Sequence, residues 1–188
     1  MKGFLIGLGI VAVIVVIIIM AFAGIYNGIV SKHESITASW AQVENQLQRR
    51  SDLIPNLVNS VKGYAAHEKG VLENVTNARS QWAKANTIDE KVQAAGAMDT
   101  ALSRLLLVVE NYPVLKADQT FLKLMDSLEG TENRIAVERM RYNETVKDYN
   151  IAVKVFPSNL IANMFGFKPA SEYFKAEEKA KMVPEVKF

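Results

Sequence analysis

Histidines 33 and 67 are the only imidazoles in the chain, and His67-Glu68 opens like the zinc-protease helix motif, where a second histidine four residues on completes a metal-binding face. Val71 holds that place instead. No hydrolytic metal site is expected. Cysteine is absent, so neither a thiol nucleophile nor a disulfide is available. No glycine-rich phosphate loop and no Gly-x-Ser-x-Gly elbow occurs. Carboxylates at helical spacing, such as Glu132 with Asp126 or Glu129, read as solvated faces or ion pairs rather than an acid–base dyad. The expectation is a non-enzymatic chain with no cofactor, no metal and no evident small-molecule substrate.

The polar residues that carry information are those that a helical repeat places among apolar ones: Arg50, Glu68, Glu132 and Arg139. A charge buried between helices needs an opposite partner, so at least one cross-helix Arg–Glu pair within these four is expected. Such pairs can set register and choice of oligomer. The alternative is that the helices rotate enough for the long stems to carry their charges to water.

The elements that must position these groups follow from a period of 3.5. From Ile36, steps of four and three residues run through Trp40, Val43, Leu47, Arg50, Ile54, Leu57, Val61, Tyr64, Glu68, Val71, Val75, Ala78 and Trp82. That seam implies one long helix, or two in register, packed by coiled-coil-like ridges. Pro55 removes one backbone donor and crowds the Ser51 carbonyl, which favours a kinked continuous helix; a new helix capped by Asp52 is the alternative. Thr87-Ile88-Asp89-Glu90 has the form of a capping box and opens a second helix with the seam Ile88, Val92, Ala95, Leu102, Leu105 and Val109, which stops at Tyr112-Pro113. Asp118 is placed to cap a third, whose heptads run from Phe121 to Phe156 before Pro157. Short links make neighbours antiparallel, so the predicted class is all-α: a transmembrane helix followed by an up-and-down antiparallel bundle of three long helices, or four if the first is broken at Pro55.

Ahead of the bundle, no charged side chain lies between Lys2 and Lys32, and residues 4–26 are almost wholly apolar. At about 1.5 Å rise per residue they reach about 35 Å, enough to cross a hydrocarbon core of about 30 Å. Ala21-Phe22-Ala23 has the form of a signal cleavage site, but the apolar run is longer than a signal peptide uses. An uncleaved single-pass anchor is expected. Lys2 and the amino terminus before the span slightly outweigh Lys32 after it, which leans toward a body outside the cytoplasm.

The expected divisions are an anchor over 1–30, a helical bundle over 31–157, and a short amphipathic helix with an extended tail over 158–188. In the last of these, Ser158 can cap an apolar turn over 160–165 closed by Gly166, which reads as a lid on the bundle or as a patch that touches lipid or a partner. With 22 basic and 20 acidic side chains and a net charge of +2, mixed along the chain, nucleic acid is not an expected partner. The expected partners are the bilayer and further copies of the chain. Gly3 with Gly7, and Gly24 with Gly28, form small-xxx-small pairs that permit close approach of two spans. Beside Arg50, the block over 52–61 adds Leu53 and Val58 to Ile54, Pro55 and Leu57, a stripe wide enough to face two neighbours, one of them in another subunit.

Together the residues carry a resemblance. Tyr26-Asn27-Gly28-Ile29-Val30, Trp40-Ala41-Gln42-Val43-Glu44, Gln48-Arg49-Arg50-Ser51-Asp52-Leu53-Ile54-Pro55-Asn56-Leu57-Val58, Glu110-Asn111-Tyr112-Pro113, Glu132-Asn133-Arg134-Ile135-Ala136, Arg141-Tyr142-Asn143, Asp148-Tyr149-Asn150 and the ending Pro184-Glu185-Val186-Lys187-Phe188 resemble the blocks of the LemA family. The resemblance covers essentially the whole chain. It implies a bacterial inner-membrane protein with one N-terminal span and a helical domain, without implying a defined molecular activity. Family members are often encoded near membrane metalloproteases, and relatives serve in magnetosome membranes, so the resemblance also implies a protease-associated or membrane-organising role. In the family the short N-terminus is commonly placed outside, opposite to the charge count, and the side of the membrane stays open.

Overall fold

A computed structural model describes residues 2–170 and 173–174, and every regular element among them is helical. The order is α1 (Lys2–Lys62), α2 (Lys69–Lys84), α3 (Ile88–Val109), α4 (Pro113–Lys116), α5 (Gln119–Lys154) and α6 (Ser158–Phe165). The apolar stretch and the first helix of the body are thus one uninterrupted helix. Part of the tail, including the family-like ending at 184–188, lies outside the described residues.

The helix count is reached differently from the expectation. α1 passes through Pro55 unbroken, and the fourth long helix arises because the chain reverses over residues 63–68. The seam runs on past this turn because both arms of the hairpin bury the same face. At the turn itself it fails: Tyr64 is exposed, and Ala65 is buried in its stead.

By packing, the chain forms two units. Among the described residues, the first comprises 2–40 with 141–170, the second 41–140 with 173–174. In the second, Ile54, Leu57 and Val61 of α1, Leu72, Val75 and Ala78 of α2, Met98, Leu102 and Leu105 of α3, Leu115 of α4 and Phe121 and Leu128 of α5 form one core, with Leu53 and Val58 packed at its edge. α3 is apolar enough to suit a membrane, but its buried face belongs to this core. In the first unit, rings rather than aliphatic chains mark the register. Trp40 meets Tyr142 edge-on at 5.7 Å between centroids, and His33 meets Tyr149 at 5.4 Å. These two rungs lie one heptad apart on each helix, so α1 and α5 run antiparallel there, with Trp40, Tyr142 and Tyr149 all buried.

Local chemistry sets the helix ends. The Thr87 hydroxyl accepts from the Glu90 backbone N–H, while the Glu90 carboxylate accepts from the backbone N–H groups of Asn86 and Thr87. Thr87→Ala is expected to cost about 1 kcal/mol, read from a urea titration. At the start of α5, Asp118 accepts from the backbone N–H groups of Thr120 and Phe121, and these bonds hold its carboxyl below the ordinary carboxylate range. A group whose folded pKa is depressed contributes stability above its unfolded pKa and loses it as pH falls through the folded one. Asp118→Asn should therefore flatten the acid limb of the stability profile while leaving its shape near neutrality unchanged. α6 ends at Gly166 with φ +76°, and the Phe167 N–H closes back on the Ala162 carbonyl, a left-handed stop that suits glycine.

Ser158 does not cap α6 as expected. Its hydroxyl lies instead within donating distance of the Ala152 and Val155 carbonyls at the end of α5.

Candidate functional site

The Arg50 side chain is only 5% exposed, and its guanidinium forks between two helices, bonding Asp99 of α3 through one terminal nitrogen and Glu132 of α5 through the other. The second Asp99 oxygen lies 3.6 Å from Arg139, one heptad along α5 from Glu132. The result is a chain of alternating charge, Glu132–Arg50–Asp99–Arg139, that ties α1, α3 and α5 together. Burial lowers the pKa of Arg50, and the nearby Arg139 lowers it further, while Asp99 acts in the opposite direction. Asp99 is thus the screen between two guanidinium groups.

Of the four seam charges, three come together here. Glu132 is half exposed rather than buried, because the long Arg50 side chain delivers its charge toward the edge of the interface. Glu68 does not take part: it lies in the turn before α2 and accepts from the Tyr112 hydroxyl at 3.4 Å. The helix break at 63–68 removes it from the register that would have brought it to an arginine. Asp99 holds the heptad position between Ala95 and Leu102, and a seam read from apolar residues alone steps over it. One signal pointed to it: Asp99 is the only carboxylate between Glu90 and Glu110, in a stretch otherwise rich in alanine and leucine.

The charged chain forms one wall of a cavity of about 630 Å³, whose remaining lining includes Leu102, Leu106, Met125, Leu128 and Glu129. The ring of Phe174 lies 5.2 Å from the Arg139 guanidinium. Three carboxylates converge on this cavity, but Asp99 and Glu132 already accept from arginine, and the Ser103 hydroxyl donates to the Asp99 backbone carbonyl rather than to a base. The arrangement suits clamping of helices better than proton transfer. Among the described residues no group of three His, Cys, Asp or Glu side chains is placed to hold a metal ion.

The block around Pro55 has a second joint. Pro55 has no N–H to give the Ser51 carbonyl, and Ser51 is buried, so that oxygen needs another donor. Arg79 of α2 supplies it through Nε at 3.0 Å. A helix from elsewhere in the chain thus fills the gap that the proline leaves. The glycines at 3, 7, 24 and 28 face open space within a single chain, where an added Cβ would meet nothing within 4 Å.

The Asp148-Tyr149-Asn150 block anchors the segment after α6. The Tyr149 hydroxyl donates to the Lys168 carbonyl, and Asn150 both donates to the Ala170 carbonyl and accepts from the Ala170 N–H.

Comparison with known proteins agrees with these blocks. The sequence profile described as the LemA family matches residues 39–188. Magnetosome protein MamQ 2 of Paramagnetospirillum magneticum is 30% identical over 176 residues, covering 80% of this chain and 64% of that protein. Magnetosome protein MamQ of Magnetospirillum gryphiswaldense is 29% identical over 175 residues, covering 79% and 64%. Protein LemA of Metamycoplasma hominis is 23% identical over 145 residues, covering 75% and 65%. The chain therefore spans a little under two thirds of the length of these relatives.

Proposed function

The chain belongs to the LemA family, and from that premise we propose that it is a single-pass, non-enzymatic helical scaffold of the bacterial inner membrane, which assembles with itself or organises membrane partners, its body on the extracytoplasmic side. The observation that carries this reading is the continuity of α1 from Lys2 to Lys62. The apolar span and a core helix of the body are thus parts of a single element, which fits a body built onto its membrane anchor. The paired charges of the cavity support the same reading, since Arg50, Asp99, Glu132 and Arg139 are joined to one another across three helices. Relatives named as magnetosome proteins fit a role in arranging membrane.

The test is gentle solubilisation of the full-length chain, followed by mass measurement and crosslinking. Homogeneous assemblies of the chain alone support self-association. Stoichiometric recovery of a membrane metalloprotease would instead make the protein an adaptor for it, and a dispersed monomer without companions would end both readings.

A further inference from the structure

We propose that α6 and the end of α5 form a second membrane contact, an apolar foot that rests in the interfacial layer of the same bilayer that α1 crosses. The inference rests on the anchor reading of α1 and adds to it a surface elsewhere in the chain.

The argument starts from level. A hydrocarbon core of about 30 Å takes about 20 residues of helix, so a span that begins near Phe4 leaves the core near Phe22 to Tyr26. At that height α6 is held against α1: the Phe165 ring lies 4.7 Å from that of Tyr26 and 6.0 Å from that of Phe22, and Phe167 lies 6.0 Å from Tyr26. The aromatic rungs give the same height for the end of α5. One heptad beyond the His33–Tyr149 rung falls at Tyr26 on α1 and two residues past the end of α5, so α5 stops near that level and Phe156 follows in the turn.

The second observation is what this level exposes. Ile161 and Ala162 are buried, whereas Leu160 is 58% exposed, Met164 70%, Phe165 51% and Phe156 79%. Four large apolar side chains in contact with water, on a short stretch of chain, would be a costly surface for a protein in solution. Beside the end of a transmembrane helix the cost disappears, because the interfacial layer receives apolar side chains to a depth of about 5–10 Å. The basic residues match. Lys32 is the first charged side chain after Lys2, and Lys154 and Lys168 are exposed on neighbouring segments, where lysines reach lipid headgroups. Lipid is the occupant that continuity with the apolar span selects.

The absence of cysteine makes the test direct. Full-length Leu160→Cys, Met164→Cys, Ile18→Cys and Glu144→Cys variants are each labelled with an environment-sensitive fluorophore and reconstituted into phosphatidylethanolamine–phosphatidylglycerol vesicles containing doxyl-labelled lipid. These side chains are exposed, so the labels leave the packed faces intact. The expected result is quenching at 18, at 160 and at 164, the last two losing about half their emission, with none at 144. Labels at 160 and 164 that stay bright while 18 is quenched would overturn the foot and leave the anchor standing. A bright label at 18 would overturn the anchor and the foot with it. Emission at 164 that changes with protein-to-lipid ratio but not with doxyl content would assign the patch to a second copy of the chain and also overturn the proposal.

Discussion

Asp99→Ala should destabilise the folded chain by about 3 kcal/mol, and Arg50→Met by only about 1, although Arg50 is the more deeply buried of the two. The order follows from what each substitution leaves behind. Without Asp99, the Arg50 guanidinium stays desolvated with a single half-exposed partner and faces Arg139 with no carboxylate between them. Without Arg50, the buried charge itself is gone. Asp99 keeps Arg139, Glu132 turns to water, and methionine fills much of the space of the lost stem. The double variant should be more stable than Asp99→Ala alone, the non-additivity expected of two residues in one ion-pair network. Urea unfolding of the full-length protein in a mild detergent, followed through Trp82 in the same unit, reads all three. Equal losses for the two single variants would mean that the charged chain does not hold the helices.

The second large effect concerns Pro55 and Arg79. Arg79→Ala should cost about 1–3 kcal/mol, because it strips a side-chain donor from the carbonyl of buried Ser51. In a Pro55→Ala background most of that loss should vanish, since alanine restores the backbone N–H that Ser51 would ordinarily receive. Pro55→Ala alone should raise stability, as the helix is already continuous there and proline in a helix interior is costly. A cycle of the two substitutions measures the coupling. If Arg79→Ala costs the same in both backgrounds, the guanidinium does not replace the missing N–H. On this account the block Arg50-Ser51-Asp52-Leu53-Ile54-Pro55 is a structural joint: one residue ties α1 to α3 and α5, and another admits a side chain of α2 into the helix ladder.

Much of the helical architecture was legible from spacing. The heptad residues Val43, Leu47, Ile54, Leu57, Val61, Tyr142, Val146 and Tyr149 are all buried, because a repeat of 3.5 puts them on one face whatever partner covers it. The caps of α3 and α5 were legible too, since a side chain that bonds the backbone within three residues needs no tertiary information. The reversal at 63–68 was not. Its residues include no proline, and the seam is in phase on both sides, so periodicity alone cannot tell a long rod from a hairpin. Glu68 was placed wrongly for that reason. Asp99 escaped for another: it is the polar member of the α3 repeat between Ala95 and Leu102, and its partners are fixed only by the crossing of helices distant in sequence.

By itself, then, the amino-acid order determined which segments become helices, which face of each is apolar, and that the first of them carries an apolar stretch long enough to span a bilayer. These depend on neighbours within a few residues, where propensity and period act directly. Only the tertiary structure decided which charges meet at Arg50, which side chain completes the backbone at Ser51, and that the exposed face of α6 lies level with the end of the apolar span. Each of those depends on how helices distant in sequence cross, which is set by the summed packing of whole helices.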